Sequence, residues 1–168
     1  MNAEYSILFQ KEGVETSVTD LQDSFGFVCT KISEGTIEVK QLESVNWFDS
    51  DGDDVYVPAN MSISGMDIEI NLVYSGVCGT YRKKVDELVG YLTTNLGEKG
   101  LMVYSKFHNR GYRACFLKSI SESSLFKGPT EECYECKMVL RTESPRERMM
   151  VYTNQQTLKP YIHLEQNQ

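Results

Sequence analysis

The sequence MDIEINLVY, residues 66–74, alternates apolar and polar side chains without interruption from Met66 to Leu72. Successive side chains of a β-strand point to opposite faces of the sheet. The apolar side chains therefore share one face and the acidic and amide side chains share the other, namely Ile68, Ile70 and Leu72 against Asp67, Glu69 and Asn71. This pattern predicts a strand that packs on a core with one face and meets water with the other.

Shorter alternating segments lie on both sides of this strand, separated by Gly, Asn, Asp and Ser. They predict further strands at residues 5–9, 25–30, 36–40, 101–104, 112–120 and 132–141. The turn-like Ser33-Glu34-Gly35 predicts a hairpin that pairs residues 25–30 with residues 36–40. Within residues 112–120 the alternation predicts one face with Tyr112, Ala114 and Phe116 and an opposite face with Arg113, Cys115 and Leu117.

Residues 81–96 depart from the strand pattern and predict one amphipathic helix. Their apolar side chains recur at helical spacing and form a single stripe of Tyr81, Val85, Leu88, Val89, Leu92 and Leu96. Thr80 is placed to cap the start, and Gly97 is placed to end the helix in a left-handed conformation. With the predicted strands, this helix indicates a β-rich α+β fold in which one helix flanks a sheet.

The first turn of this helix is basic, although a helix N-terminus favours negative charge; the residues are Arg82, Lys83 and Lys84. In one interpretation these cations are solvated and partly neutralised on the same helix by Asp86 and Glu87. In the other they meet an acidic loop of a neighbouring subunit. The candidate subunit interface therefore consists of Arg82, Lys83, Lys84, Asp51, Asp53 and Asp54.

The composition is that of one folded domain. The chain has 168 residues, of which 40% are hydrophobic and 24% charged, so it can bury a core without disulfides or a metal. A net charge of −7 and the lack of a dense Lys/Arg block argue against nucleic-acid binding. We expect neither a signal peptide nor a membrane span. The five scattered cysteines are expected to be reduced thiols in a cytoplasmic setting.

The strongest metal-like pattern is Cys133-Tyr134-Glu135-Cys136, with Cys115 and His108 upstream as nominal third and fourth zinc ligands. Zinc-binding pairs of this spacing usually lie in a tight turn, where both sulfurs converge. Here the pair falls inside a predicted strand, in which residues three apart point to opposite faces. We therefore expect two core or half-buried cysteines and no zinc.

Asp49, Asp51 and Asp53 have the spacing that begins an EF-hand calcium loop. Asp54 stands where that loop needs glycine, and Asn60 stands where it needs a bidentate glutamate. A turn in which the carboxylates accept backbone hydrogen bonds is the preferred interpretation.

No pattern in the chain is typical of an active site. His108 lies in a polar turn and His163 in an aperiodic C-terminal segment, and neither has a recognisable catalytic partner. The glycines of Gly97-Glu98-Lys99-Gly100 follow a predicted helix, whereas a phosphate-binding loop precedes one. We therefore expect a protein without catalytic activity and without a cofactor.

Periodicity is lost after Glu143-Ser144-Pro145. Apolar patches at residues 149–152 and 161–164 could dock on a neighbouring molecule or on the same domain, and the sequence leaves both open. We therefore predict a β domain at residues 1–145 and a C-terminal arm or extension at residues 146–168.

The order of elements in residues 1–145 resembles that of phage distal tail proteins. Asn46-Trp47-Phe48-Asp49 and the turn Asp51-Gly52-Asp53 are similar to the tryptophan and acidic-glycine loop of that family. The family continues with an alternating strand, a helix and short strands, which residues 68–72, 81–96, 101–104 and 111–114 match in order. Its final strand ends at a polar-Pro stop, as residues 138–145 do here.

The resemblance implies a tail-tube-like β-sandwich or split barrel with one flanking helix. It also implies that six copies close into a ring that joins the tail tube of a long-tailed phage to the baseplate and host-recognition apparatus. The implied partners are copies of the same chain and other tail proteins, without specific nucleic-acid or membrane binding. The implied location is the virion tail, and the bacterial cytoplasm during assembly.

Two alternatives stay open. A tail-tube or tail-completion subunit shares the implied fold and differs in how far assembly proceeds. A small module that binds calcium or carbohydrate through the Asp-rich loop belongs to a different functional class.

Overall fold

The computed structural model describes residues 6–15, 17–46, 48, 52–153, 155–156 and 159–164. In these residues the chain is mostly antiparallel β-sheet with two short helices, which confirms the predicted β-rich α+β class. In chain order the elements are β1 (Ile7–Lys11), β2 (Thr19–Asp20), α1 (Leu21–Phe25), β3 (Phe27–Glu34), β4 (Ser44–Asn46), β5 (Asp53–Val55), β6 (Met66–Val77), α2 (Tyr81–Thr93), β7 (Leu101–Ser105), β8 (Arg110–Lys127), β9 (Glu131–Thr142), β10 (Met149–Thr153) and β11 (Pro160–Leu164). Within the described ranges, neither helix combines the length and the apolar character that crossing a membrane requires.

One large antiparallel sheet contains all the described strands except β4 and β5, which pair with each other. Its order is β2-β1-β7-β8-β9-β6-β3, and the β10–β11 hairpin joins β8 through the pair Met149 and Gly111. The centre of the sheet is β9, whose residues pair with β6 along its whole length and with β8 along most of it.

The core lies on one face of β6 and β9, under helix α2. The predicted alternation of β6 is confirmed, because Ile68, Ile70 and Leu72 are fully buried there. The helix covers them with a buried stripe of Tyr81, Val85, Leu88 and Leu92. Burying a large aliphatic side chain contributes about 1.5–3 kcal/mol, so this layer supplies much of the stability of the fold.

The predicted end of this helix was wrong by three residues. Helix α2 ends at Thr93, and Thr94 is already extended, with φ −110° and ψ 139°. Gly97 has the expected positive φ of 68°, but Asn95, with φ 52°, is the first left-handed residue after the helix. Leu96 therefore packs on the core from the following loop, without being part of the helix.

Helix α1 was not predicted, although the sequence carries both of its boundary residues. The side chain of Asp20 accepts hydrogen bonds from the backbone N–H groups of Gln22 and Asp23. Gly26 ends the helix in the left-handed conformation, with φ 80°. Leu21 and Phe25 point into the core from this single turn.

The predicted hairpin between residues 25–30 and 36–40 was wrong. Strand β3 continues through Ser33 and Glu34 and pairs with β6 instead. The Gly35 N–H donates to the carbonyl of Asp67 at 2.8 Å, and residues 36–40 contribute only an isolated bridge between Val39 and Ile63. Pairing with β6 buries Phe27 and Cys29 under the helices, which a local hairpin does not achieve.

Strand β8 does not keep the predicted alternation. Ala114 has φ 50° and lies where the pairing with β7 shifts register, so Tyr112 and Cys115 both face the core. A second shift follows between Leu117 and Ser119. Each β-bulge inserts one residue and reverses the faces of everything after it, so the predicted faces were wrong from Ala114 to Lys118. The second shift restores the predicted parity, and Ile120 packs on the same core as Tyr112.

The C-terminal segment folds back on its own domain. Its β10–β11 hairpin covers the outer face of β1 and β7 and forms a second apolar cluster of Leu8, Met102, Tyr104, Met149 and Ile162. The side-chain oxygen of Gln10 accepts a hydrogen bond from the N–H of Ile162 at 2.8 Å. Strand β1 is consequently buried on both faces. The division at residue 145 stays a prediction.

The large sheet is strongly curved. Three strand-to-strand steps separate β3 from β8, which in a flat sheet amounts to about 14 Å. Glu34 of β3 nevertheless lies 2.9 Å from the guanidinium of Arg110 and accepts a hydrogen bond from Tyr112. These contacts draw β3 toward the β7–β8 turn, and we call the gap they span, residues 29–34 facing residues 105–112, the seam.

The N-terminus of α2 is capped from a distant strand. Thr80 makes no side-chain cap, because its hydroxyl donates to the carbonyl of Val77. Instead, a carboxylate oxygen of Glu132 in β9 accepts from the N–H of Tyr81 at 2.7 Å. Glu132 is only 3% exposed, and the hydrogen bonds from the Tyr81, Gly79 and Thr80 amides hold its pKa below the usual value.

The core under α2 predicts a large difference between two isoleucines. Ile70→Ala removes a fully buried side chain and is expected to lower the free energy of unfolding by about 2–5 kcal/mol. Ile37→Ala makes the same chemical change at a side chain that is 55% exposed, and is expected to cost less than about 0.5 kcal/mol. Urea unfolding followed by circular dichroism measures both, and equal effects contradict this placement of the core.

Glu132 predicts a pH-dependent stability. Because its pKa is lower in the folded chain than its ordinary value of 4.5, its carboxylate stabilises the fold above that value, and the contribution is lost as the pH falls through the folded pKa. Glu132→Gln is therefore expected to lower the urea midpoint at pH 7 and to match the parent chain in strong acid. Glu135→Gln, three residues along the same strand, is the control. A pH-independent loss in Glu132→Gln refutes the charged cap.

Candidate assembly surface

Strand β8 is longer than the strands that flank it. Among the described strands, β7 pairs with β8 only as far as Cys115, and β10 reaches only Gly111. From Phe116 to Lys127, β8 therefore pairs with β9 on one side and with no described strand on the other. We call this unpaired side of residues 116–127 the β8 free edge. A row of open backbone N–H and C=O groups is a template for pairing with another strand.

The end of the β8 free edge is apolar and exposed. Leu125 is 55% and Phe126 57% accessible to solvent, where β8 turns into β9. We call residues 122–131 the hairpin tip. A third register shift in β8, between Ser124 and Phe126, turns the strand here, a device that natural edge strands use against indiscriminate pairing. Val77, at the end of the adjacent strand β6, is also exposed.

The outer face of the sheet is polar and satisfied within the chain. Lys118 donates to Asp67 at 2.5 Å, and this bond holds the pKa of Asp67 below its usual value. Arg141 bridges Asp67 at 3.3 Å and Glu143 at 2.7 Å, and Lys137 pairs with Glu69 at 2.8 Å. Such exposed pairs contribute little to stability, because solvent screens the charges. These charges of the outer face are already paired, whereas the backbone groups of the β8 free edge have no partner strand among the described residues.

Each predicted interface cation on α2 has a carboxylate partner within the chain. Arg82 lies 3.2 Å from Glu122 of β8, and Lys84 lies 2.8 Å from Glu87. The Lys83 ammonium is 3.9 Å from Glu87. The local interpretation anticipated Glu87, whereas Glu122 was missed because it comes from a strand forty residues away.

The acidic half of the predicted interface is not placed beside these cations by the structure. Asp51, with Asp49 and Trp47, lies outside the described residues. Asp53 and Asp54 belong to β5, which pairs with β4, and their side chains are likewise outside the description. Salt-bridging between this loop and Arg82, Lys83 and Lys84 of another copy stays a prediction, as does a calcium site in the loop.

The cysteines are packed as small apolar residues. Burial raises the pKa of Cys115 to about 12, and it also raises the pKa values of Cys29 and Cys136. A thiolate is the form that attacks substrates and binds metals, and burial disfavours it here. Cys133 is half-buried, while Cys136 is in the core. Among the described residues, no group of three or more His, Cys, Asp or Glu side chains has metal-binding geometry.

One of the two histidines, His108, lines a small cavity together with Cys29. His108 is in the β7–β8 turn, where its N–H donates to the Ser105 hydroxyl and its ring touches Phe107. His163 is in β11, with its ring Nδ1 3.2 Å from the carbonyl of Leu164. Both positions are on the periphery of the sheet.

A groove of about 560 Å³ runs between the β10–β11 hairpin and β1. Its principal charged group, Arg113, is already held by Glu12 at 2.6 Å and by Glu147 at 2.9 Å. These carboxylates raise the pKa of Arg113 above its ordinary value. The guanidinium therefore fastens the C-terminal segment to β1 and β8, a structural role that leaves few of its donors for a ligand.

The β8 free edge and the hairpin tip were missed in the sequence. The alternation of residues 112–120 pointed to a strand, but it carried no information on where β7 would stop pairing with it. The predicted strand ended at residue 120, whereas the structure continues β8 to Lys127. The extension becomes visible only when β8 is placed beside its neighbours.

Comparison with known proteins adds no relative to these observations. A scan against models of known protein families found no match to the chain. A search of curated proteins also found no match. Function is therefore inferred from the β8 free edge, the hairpin tip and the seam themselves.

Proposed function

We propose that this protein is a structural, non-enzymatic subunit that assembles with copies of itself into a closed ring in a phage tail. In the proposal the ring has six copies and acts as distal tail proteins do, joining the tail tube to the baseplate and host-recognition apparatus. The virion tail is its final location, and the bacterial cytoplasm is where it assembles. The observation that carries the self-assembly is the β8 free edge.

The β8 free edge has the properties of an assembly surface. Its twelve residues extend about 40 Å, which is much longer than the short edges that monomeric proteins expose. No proline interrupts residues 116–127, and Lys118 and Lys127 are its only lysines. Pairing with another copy through this edge satisfies the open backbone groups. A contact between different surfaces closes into a ring when its rotation allows, and otherwise grows into a filament.

The phage-tail assignment is supported by the order of the elements. The strand β6, the helix α2 and the strands β7, β8 and β9 follow one another as in the distal tail family. The curved sheet with a helix on its core face is compatible with a tail-tube-like split barrel. A tail-tube subunit is the alternative within this class. It shares the implied fold, but its copies polymerise into a tube instead of stopping at one ring.

The first test is the native mass of the purified protein across a wide concentration range, by light scattering coupled to gel filtration. Six copies of 19.2 kDa give a ring of about 115 kDa, and we expect the mass to stop at one or two such rings. Continuous growth with concentration favours the tube subunit, and a monomer at every concentration refutes self-assembly.

A paired variant tests the β8 free edge. Ser119→Lys combined with Ser123→Lys places two charges on the edge, opposite Val139 and Glu135 of β9, and is expected to shift the oligomer to lower mass. Ser62→Lys adds one such charge at an exposed serine outside the strands and is expected to leave the mass unchanged. Circular dichroism verifies that each variant is folded. An unchanged oligomer in the double variant excludes this edge as the contact.

A further inference from the structure

The hairpin tip is an exposed apolar projection. Leu125 and Phe126 are both more than half accessible, and the Phe126 ring lies over Gly128 at the turn. The turn itself is held by a hydrogen bond from the Gly128 N–H to the carbonyl of Glu131 at 2.8 Å. An aromatic side chain on such a defined turn is a typical anchor residue of protein–protein contacts.

The seam contains a cavity of about 310 Å³. Cys29 and Ile32 of β3 line one side, and Phe107 and His108 of the β7–β8 turn line the other. This volume is at the small end of the range of about 300–1,000 Å³ for ligand pockets, and its lining is mainly apolar. Its size and chemistry suit one or two apolar side chains.

The tip cannot reach the cavity of its own chain. Arg110, beside the cavity, and Phe126, at the tip, are the two ends of the same strand. Sixteen residues of extended chain separate them by about 50 Å. Any contact between tip and cavity is therefore between two copies, and it joins opposite ends of the molecule.

One unpaired charge at each end can pair with the other. In the seam, Arg110 pairs with Glu34 and Lys106 pairs with Asp20, while Lys31, which lines the cavity, is exposed and has no ion pair among the described residues. At the tip, Glu122 pairs with Arg82. Glu131 and Lys127 at the tip are both exposed and without an ion pair in the described part of the chain. Pairing of Lys31 with Glu131 beside an apolar contact favours one orientation of docking.

We propose that the hairpin tip of one copy docks in the seam cavity of a second copy, with Phe126 in the cavity and Glu131 beside Lys31. The inference rests on the proposed self-assembly, but it uses the side chains of the hairpin tip and of the seam cavity instead of the open backbone groups of the β8 free edge. The contact is head-to-tail, because tip and cavity are different surfaces.

Two single variants and their mixture test this contact. Lys31→Glu replaces the proposed Lys31–Glu131 pair by two carboxylates, and Glu131→Lys replaces it by two ammonium groups, so each variant alone is expected to self-associate about tenfold or more weakly. When the two variants are mixed in equal amounts, the new lysine of the Glu131→Lys variant can pair with the new glutamate of the Lys31→Glu variant. The unchanged Glu131 of the Lys31→Glu variant can pair with the unchanged Lys31 of the Glu131→Lys variant. Light scattering is therefore expected to show association restored in the mixture only. Restoration excludes a general effect of charge or misfolding.

The apolar anchor is tested in the same way. Phe126→Ala is expected to weaken association about tenfold, whereas Phe48→Ala, which truncates a fully exposed phenylalanine elsewhere in the chain, is expected to have no effect. Unfolding midpoints equal to that of the parent chain verify that each variant folds.

The outcomes separate this docking from the proposed ring. If the parent chain is oligomeric, the edge variant breaks it, and the tip and cavity variants do not, the docking is refuted and the ring stands. If only the tip and cavity variants act and mass grows without a stop, the docking stands and the closed ring is refuted. A parent chain that remains monomeric at every concentration overturns both.

Discussion

The mismatch in length between β8 and the elements that cover it is the constraint on which the surfaces of this protein depend. Eighteen residues of strand extend about 60 Å, whereas the thirteen residues of α2 extend about 20 Å. The helix and the core beneath it can therefore cover only part of the strand. Beyond Cys115, β8 also loses β7 as a neighbour, so its remaining length is held by β9 alone. If β8 ended near Cys115, this unpaired strand edge would not exist.

The opposite end of the molecule is covered twice. There β1 and β7 lie between the main core and the second apolar cluster beneath the β10–β11 hairpin. Arg113 connects the two layers, because it pairs both with Glu12, which follows β1, and with Glu147, which lies just before the β10–β11 hairpin. Strands β1 and β7 are thus packed on both faces, and the projecting hairpin is the lightly held part. This polarity gives the molecule two chemically different ends, which is the requirement for a head-to-tail contact.

The central elements were predictable because their patterns are local. The alternation of β6 and β9 and the helical stripe of α2 report directly on burial, since every second or every third to fourth residue faces one core. The faces of β8 were not predictable past Ala114, because a bulge reverses the parity and nothing in the residue type marks it. The mistaken hairpin at Ser33-Glu34-Gly35 has a different cause, because β3 pairs with β6 over a separation of some forty residues. Glu132, the cap of α2, and Glu122, the partner of Arg82, were missed for the same reason.

The net charge of −7 limits how this protein can associate. Like-charged molecules repel one another at long range, so a stable contact needs local complementarity that exceeds this repulsion. On the outer face, the ion pairs around Asp67 and Lys137 are formed within the chain, and little of their charge is left for a neighbour. The features left for a neighbour include the open backbone groups along β8, the exposed apolar pair Leu125 and Phe126, and charges such as Lys31 and Glu131 that have no ion pair among the described residues. Because these features lie at distinct places on an asymmetric molecule, the contacts they support are directional, and the rotation between successive copies decides between a ring and a filament.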